Sequence, residues 1–372
     1  MTISGPLHGI RIIELDAIGP VPLCGMILSG LGADIVHVAR PGGHAAFDDL
    51  GEGVVLRGRR TLELNLKDVA DRETLLKLVG PADALIEGMR PGVAERLGIG
   101  PDDCFARNPR LVYGRGTGWG QEGPRSQLAG HDINYIAMTG ILHAIGQKGQ
   151  VPTVPLNIVG DYAGGTMFLA LGVVSAIHWA RSTGQGQVVD AAIVDGVANL
   201  MSLFHAYLHT GSWKDRPSSN LLDGAAPYYR CYRCEDGGFI AVGAIEPQFF
   251  AQLMQGLGIS PERFDQNESA CWQEMEQAIA ERFASAPRAH WEKIFEGTDA
   301  CAAPVLSMVE AIQHPDNRAR TTFVERANIM QAAPAPRFSR TPGKIQEKQS
   351  VTADQLLNEW SNKLSTRHET AA

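Results

Sequence analysis

Two short runs near the amino terminus decide the fold class: residues 9–15, GIRIIEL, and residues 34–38, DIVHV. Aliphatic and β-branched residues dominate both runs, a composition typical of strands that are buried on both faces. Between them, Pro20 and Pro22 mark a turn, and residues 23–31 predict a helix. A strand, a helix and a second strand within about thirty residues form a β-α-β unit, so we expect a parallel sheet.

The same alternation continues along the first half of the chain. Residues 62–66 predict a strand, residues 67–79 a helix, and residues 84–87 and 111–113 two more strands. Residues 114–120, GRGTGWG, predict a glycine-rich loop, which either brings backbone close to a ligand or is only a long connection. The predicted fold class is therefore α/β, with a Rossmann-like large domain built on a parallel sheet.

An NAD site is not expected in this β-α-β unit. The turn at residues 16–22 has no G-x-G-x-x-G sequence, and the second strand ends at Arg40, where NAD enzymes place an acidic residue for the ribose. An arginine at that point suits a phosphate group instead.

Six arginines occupy predicted loop positions within the first hundred residues of a chain that is acidic overall: Arg40, Arg57, Arg59, Arg60, Arg90 and Arg96. Each arginine taken singly is interpreted as ordinary solvated charge. Taken together they predict a cationic rim for a polyphosphate, because the planar guanidinium forms paired hydrogen bonds to phosphate oxygens.

The second half of the chain predicts a smaller α+β domain. Residues 191–210 predict one mostly apolar helix, and residues 212–227 a linker. Residues 228–234 and 239–244 predict a hairpin across the turn EDGG. Three helices should follow, at residues 247–257, 271–284 and 289–296. We therefore predict a large domain over residues 1–211, a small domain over residues 228–313, and an extended segment, residues 314–372, that returns to the large domain and ends in a helix at residues 354–363.

Composition excludes several classes of protein. The chain has 372 residues, 44% of them hydrophobic and 20% charged, which is typical of a globular protein of two domains. A net charge of −8 argues against bulk nucleic-acid binding. The first residues show no signal peptide, and the longest apolar run falls short of the roughly 18 residues that span a bilayer. We expect a cytoplasmic protein without a membrane partner.

No metal site is expected. Of the six cysteines, Cys231 and Cys234 form the one C-x-x-C, but on a strand their side chains point to opposite faces, so we interpret them as free thiols. His205 and His209 have the spacing of a zinc-binding helix but lack the glutamate and the third ligand. They are interpreted as a surface or packed pair.

Two stretches place an ionisable residue beside a glycine and ahead of a predicted helix: GHDINY at residues 130–135 and NIVGD at residues 157–161. Asp132 is the predicted N-cap of the first helix. Residues 162–180 predict a second helix, apolar nearly all round and therefore buried. His131 and Asp161 would then lie at two helix N-termini, which favour developing negative charge. The alternative is two capping residues and a hydrogen-bonded histidine.

The flanking sequences add a resemblance to a known family. Residues 130–135, residues 155–161 (PLNIVGD) and residues 184–192 (GQGQVVDAA) resemble the family III CoA-transferase (CaiB/BaiF) superfamily. Residues 222–229 (LDGAAPYY), residues 242–249 (VGAIEPQF) and residues 336–339 (PRFS) are similar to its α-methylacyl-CoA racemase branch. The resemblance covers about residues 5–342.

This resemblance implies a fold, a reaction and site residues. It implies an interlocked homodimer, with each active site between the large domain of one subunit and the small domain of the other. His131, supported by Glu246, and Asp161, beside Asn157, would be the acid–base groups. Arg40, Arg90 and Arg96 would line the coenzyme A site, with Arg59 and Arg60 in the same cationic rim. Coenzyme A is part of the substrate, and no other cofactor is implied.

The reaction implied is inversion at C2 of a 2-methylacyl-CoA thioester through an enolate, for which backbone N–H groups after Asp161 are the expected oxyanion donors. Burial would raise the Asp161 pKa and a helix N-terminus would lower it, and this balance stays open. Two other functions stay open: a CoA-transferase with Asp161 as nucleophile, and a silent CoA-binding protein. The preferred acyl group is not predicted.

Overall fold

The computed structural model describes residues 5–42 and 52–368. The first strands lie close to the predicted positions, since short buried apolar runs determine them. The strands are β1 (Arg11–Leu15), β2 (Asp34–Ala39), β3 (Arg59–Glu63), β4 (Ala84–Glu87), β5 (Val112–Thr117), β6 (Gln187–Ala192), β7 (Tyr229–Arg233), β8 (Phe239–Gly243), β9 (Ala302–Pro304), β10 (Phe323–Arg326), β11 (Ile329–Ala332) and β12 (Gln349–Ser350).

The helices account for most of the remaining regular structure. They are α1 (Pro20–Gly30), α2 (Glu52–Val55), α3 (Val69–Val79), α4 (Val93–Arg96), α5 (Pro101–Arg107), α6 (Asp132–Met138), α7 (Ile141–Ala144), α8 (Met167–Thr183), α9 (Ile193–Leu200), α10 (Ser202–Thr210), α11 (Pro247–Gly256), α12 (Trp272–Phe283), α13 (Arg288–Phe295), α14 (Met308–Gln313), α15 (Pro315–Ala319) and α16 (Ala353–His368). A π-helix, Ile158–Thr166, runs directly into α8.

The described chain divides into two compact units. Unit 1 comprises Met1–Thr139, Pro155–Met201 and Phe323–Ala372, and unit 2 comprises Gly140–Val154 and Ser202–Thr322. These bounds differ from the predicted ones. Residues 212–227 pack within unit 2 and are not a loose linker, because the buried Asn220 bonds to Lys214 and Asp223. Of the segment predicted to return to the large domain, residues 314–322 belong to unit 2 and the part from Phe323 onward belongs to unit 1.

A parallel seven-stranded sheet forms the centre of unit 1, with the strand order β12-β3-β2-β1-β4-β5-β6. The predicted β-α-β unit is β1, α1 and β2, and β1 pairs in parallel with both β2 and β4. Chain order therefore reverses between β1 and β4. In open α/β sheets, ligands bind at such a switch point, outside the carboxyl ends of the strands.

Both faces of the sheet are buried, which explains the nearly continuous apolar runs of its strands. On one face, Ile13, Val36 and Leu85 pack with α3 and with Trp360 of α16. On the other, Ile12 and Ile35 pack with α1 and α8. The predicted α/β architecture is confirmed.

The helical segment after Asp161 differs from its prediction in two ways. It begins at Ile158 as a π-helix, so Asp161 lies within its first turn and not ahead of it. It is also only half buried, since Met167, Leu171 and Val174 stand exposed on α8. Among the described residues, Ile158–Thr183 is the one helix long and apolar enough to cross a membrane, contrary to the expectation that no segment reaches that length. Its buried half packs against β5, β6 and α1 as a core helix does.

Two further predictions were wrong. Residues 191–210 are not one helix: Ala191 and Ala192 end β6, and Met201 separates α9 from α10. Residues 314–342 are not simply extended, since they contain α15 and the hairpin of β10 and β11.

Unit 2 is built on the predicted hairpin. Antiparallel β7 and β8 are joined by residues 234–238, and β9 extends the sheet beside β8. The apolar sides of α11, α12 and α13 cover one face of this sheet, where Tyr232, Phe283 and Trp291 form the aromatic centre of the core.

Candidate active site

A cavity of about 320 Å³ lies in unit 1 at the carboxyl ends of the central strands. Residues after β1 (Ile18, Gly19, Pro20), after β4 (Gly88 to Pro91), at the end of β5 (Gly116, Thr117) and after β6 (Ile193) line it. It therefore occupies the switch point of the sheet. His131 and Asp161 both line this cavity, so the structure brings together the two acid–base candidates.

His131 is placed by the start of α6. Its backbone is extended, with φ −128° and ψ 174°, and α6 begins at the next residue. The His131 N–H donates to Asn134 Oδ1 at 3.0 Å, which ties the residue to the first turn of the helix. The side chain is exposed and available to a ligand in the cavity.

Asp132 is not the N-cap that the sequence predicts, because His131 occupies that position and Asp132 is the first helical residue. Asp132 Oδ2 accepts the backbone N–H of Asp161 at 2.7 Å. The side chain is only 5% exposed. Asp132 thus connects the two stretches that carry the candidate acid–base groups.

Asp161 is half-buried in the first turn of the π-helix. Burial raises its pKa above the ordinary range, and the Asp132 carboxylate adds to the increase. The Asn157 hydrogen bond and His131 oppose it. The sequence left open whether the pKa of Asp161 is raised or lowered. In the structure, the effect of desolvation is larger than that of the stabilising contacts, so the pKa is raised.

The N-terminus of α1 also approaches Asp161. Gly19, with φ 72°, precedes the helix, and a Cβ at this position would lie 3.4 Å from Asp161 Oδ2. That distance is an ordinary van der Waals contact, so glycine is favoured here by the left-handed backbone and not by the space beside the carboxylate. The N-terminus of an α-helix favours negative charge, so α1 adds a favourable field at the cavity.

The expected oxyanion donors need one correction. The helix does not start after Asp161, and the N–H of Asp161 itself is occupied by Asp132 Oδ2. A different candidate donor is the N–H of Asp132, which is the first residue of α6 and lies next to His131.

Three of the predicted coenzyme A arginines are exposed: Arg40, Arg90 and Arg96. Arg90 lines the first cavity. Arg40 lines a second cavity of about 200 Å³, beside Asp16, Asn65 and Lys67, at the carboxyl ends of β1, β2 and β3. Met89 lines both cavities. Arg96 ends α4 and lines neither of them.

Arg59 and Arg60 do not belong to a cationic rim. Arg59 is completely buried and pairs with Glu14 at 3.1 Å. Arg60 bonds to Asp34 at 2.6 Å and to Glu359 at 2.5 Å, and its guanidinium lies over Trp360. Both arginines are occupied by acidic partners within unit 1, so their predicted contact with a phosphate is wrong.

Glu246 and Asn157 are each found at the start of a helix. Glu246 lies in unit 2, exposed, and its carbonyl accepts the Phe250 N–H of α11 at 2.9 Å. Asn157 precedes the π-helix, and its Nδ2 donates to Asp161 Oδ2 at 3.3 Å. The contact of Asn157 with Asp161 agrees with the prediction, whereas the role of Glu246 toward His131 stays a prediction.

A buried charged group beside the cavity was missed by sequence reasoning. Glu87 ends β4 and is 2% exposed, and burial raises its pKa to about 7. It accepts the Met89 N–H and lies 3.4 Å from Arg115, which also bonds to Glu95 and Gln121. This network holds the Gly88–Met89 backbone that lines the cavity. The sequence feature that could have revealed this group is an acidic residue at the end of an apolar strand.

Within residues 5–42 and 52–368, no group of three metal-ligating side chains comes together. Cys231 is exposed and Cys234 buried, and the side chains of His205 and His209 are exposed on α10.

The amino-acid sequence matches the family described as CoA-transferase family III over residues 7–350. It is 43% identical to α-methylacyl-CoA racemase of Mus musculus over 338 residues, which cover 90% of this chain and 87% of that protein. The protein of the same name from Homo sapiens is 42% identical over the same shares. The crystal structure of a CAIB/BAIF family protein from Brucella suis superimposes with a TM-score of 0.79 at 24% identity, covering 96% of this chain and 99% of that chain.

Proposed function

This chain belongs to CoA-transferase family III, and we propose that it is a racemase of that family, which interconverts (2R)- and (2S)-2-methylacyl-CoA thioesters. The observation that carries this proposal is that His131 and Asp161, from two different helical elements, line one and the same cavity at the switch point. Inversion of a carbon centre needs one group to remove a proton and a second group to return one to the opposite face.

The chemistry explains why two such groups are placed in a partly buried cavity. The hydrogen at C2 of a thioester is far less acidic than any side-chain acid, and each pKa unit of mismatch corresponds to about 1.4 kcal/mol. Donors directed at the enolate oxygen must supply much of the stabilisation. A carboxyl group with a raised pKa is a stronger base toward carbon and a better matched partner for an imidazole.

In the proposed mechanism, either His131 or Asp161 removes the proton, depending on the isomer bound. The thioester oxygen becomes an enolate oxygen, next to the N-terminus of α6. The other group, protonated at the start of the turnover, delivers its proton to the opposite face of C2. Protons and charges balance within the pair, so the reaction has no net redox change and we propose that it needs no cofactor other than the coenzyme A of the substrate.

Coenzyme A is proposed to extend from the first cavity to the second past Met89. Exposed Arg40 beside the second cavity and exposed Arg90 in the first support this path. Arg96 is exposed but lines neither cavity, so its contact with coenzyme A stays a prediction. Salt should weaken binding at these exposed groups.

A homodimer is proposed as the working form, with the Glu246 of one subunit supporting the His131 of the other. Supporting this proposal, α8 presents exposed Met167, Leu171 and Val174 at helical spacing on one side of unit 1. An apolar helix face of this kind is typical of a surface that another protein covers.

A CoA-transferase using Asp161 as a nucleophile is the alternative. It needs no acid–base partner for C2, so His131 beside Asp161 favours the racemase, as do the two racemase relatives. Incubation of one pure isomer of a 2-methylacyl-CoA in heavy water separates the functions. A racemase incorporates deuterium at C2 with inversion and without an acceptor acid. Transfer of coenzyme A to an added acid, with no inversion, would contradict the racemase.

A further inference from the structure

We propose that Asp132 is a positioning residue for the two acid–base groups, acting through its buried carboxylate on Asp161 while its backbone anchors His131. This inference rests on the proposed racemase function. Asp132 adjoins His131 in sequence and bonds to the main chain of Asp161 across 29 residues.

The hydrogen bond itself is short and enclosed. Asp132 Oδ2 accepts the Asp161 N–H at 2.7 Å, within the range of charge-assisted bonds. Gly160 makes this approach possible, because a Cβ on residue 160 would overlap the Asp132 carboxylate. Asp161 is therefore held by its backbone from α6, leaving its side chain directed to the cavity that it lines.

The second carboxylate oxygen argues that the group is more than a structural acceptor. Asp132 Oδ1 is buried and has no hydrogen-bond partner among residues 5–42 and 52–368. Burying a polar atom without a partner costs free energy. An amide or hydroxyl would accept the same N–H without burying a carboxylate, so the carboxylate is explained by its effect on Asp161.

That effect is electrostatic as well as geometric, since Asp132 raises the pKa of Asp161. The other ionisable groups around Asp161 come from few elements. On α6 they are His131 and Tyr135, and the loop after β4 contributes Arg90 to the same cavity. On α9, Asp195 is exposed. Gly19 and Pro20, at the N-terminus of α1, do not titrate.

Asp132→Asn separates the two effects, because the amide oxygen still accepts the Asp161 N–H while the charge is lost. The pKa of Asp161 should fall, so the acidic limb of kcat/KM should move to lower pH. The change should be equal for both isomers, because the active form of the His131–Asp161 pair carries one proton whichever isomer is the substrate. Asp132→Ala also loses the hydrogen bond, and kcat should fall by about a hundredfold, as expected for a displacement of about 1 Å. Gly160→Ala should lower kcat in the same way as Asp132→Ala, although it removes no charged group.

A matched control is Asp83→Asn, since Asp83 also accepts a backbone N–H, that of Arg11 at 2.9 Å, but lines neither cavity. Its pH profile should equal that of the wild type. Carbon-13 NMR of the Asp161 carboxyl group in wild type and Asp132→Asn reports the same pKa change without activity. A wild type that does not racemise would therefore reject the proposed function alone. An Asp161 titration and a pH profile that are unchanged in Asp132→Asn would overturn this inference.

Discussion

Asn157 Nδ2 lies 3.3 Å from Asp161 Oδ2, so an amide one helical turn earlier donates directly to the proposed carboxylate base. This bond lowers the pKa of Asp161, against the larger increase that burial causes. The Asp161 carboxylate is thus set between opposing influences: Asn157 and His131 on one side, and burial and Asp132 on the other.

Removing the amide should change the pH dependence in the direction opposite to Asp132→Asn. In Asn157→Ala the ionised form of Asp161 loses a donor, its pKa rises further, and the acidic limb of kcat/KM moves to higher pH. Steady-state rates across the pH range measure this. A limb that moves to lower pH, or stays in place, would show that the hydrogen bond does not control the protonation of Asp161.

Asp161→Asn should abolish racemisation and stabilise the fold at neutral pH. The raised pKa means that the folded protein holds this proton more tightly than the unfolded chain does. Stability is therefore lost as pH rises from the unfolded pKa through the folded pKa. The amide removes this loss, so the melting temperature should rise by about 1–3 °C at pH 8 and change little at low pH. Calorimetry at both pH values provides the measurement, and no gain at pH 8 would contradict the prediction.

Arg59 and Arg40 should behave differently although both were predicted to bind coenzyme A. Arg59→Ala leaves Glu14 buried without its partner and should cost about 3–5 kcal/mol of stability. Arg40→Ala should leave the melting temperature unchanged and weaken substrate binding by about 1.5–3 kcal/mol, less at high salt. Denaturant unfolding and KM measurements on both variants separate these effects. An unaltered KM in Arg40→Ala would remove Arg40 from the binding site.

Glu87→Gln should make stability less dependent on pH. With a folded pKa of about 7, Glu87 is protonated in the folded protein at pH 5 and ionised at pH 8, at a cost from burial. The gain in melting temperature from the substitution should therefore be larger at pH 8 than at pH 5. Glu73→Gln, at an exposed pair with Arg107, is the control and should show no such difference. Equal gains at both pH values would mean that Glu87 does not titrate there.

Mixed subunits test the proposed dimer. If Glu246 supports the His131 of its partner, co-expressed His131→Ala and Glu246→Ala subunits form heterodimers with one intact site. Differentially tagged, purified heterodimers should recover up to half of the wild-type activity, and each variant alone should stay inactive. If Glu246 acts within its own subunit, every site carries one defect and activity does not return.

Several features were predictable from the sequence because they depend on neighbouring residues. Ala84–Glu87 was predicted with its observed bounds. Three apolar residues followed by a glutamate at the end of the strand form a short buried strand between polar segments. The hairpin of β7 and β8 followed from its glycine-containing turn. The assignment of His131 and Asp161 to one site came from a resemblance and not from spacing, and both residues line one cavity.

Other features were decided only by the tertiary structure, because burial and charge pairing involve residues distant along the chain. Asp132 was predicted to cap its own helix, and its carboxylate bonds instead to Asp161, 29 residues later. Arg59 was predicted to lie in a loop, but it begins β3, and Glu14, 45 residues earlier, pairs with it in the core. The direction of the Asp161 pKa depended on how deeply the folded chain buries the carboxylate. The sequence by itself therefore determined the strands, the hairpin and the residue types of the site, through local backbone preference and hydrophobicity. The folded chain decided which charges are paired and which can meet a substrate, because the electrostatic environment of a group depends on everything packed around it.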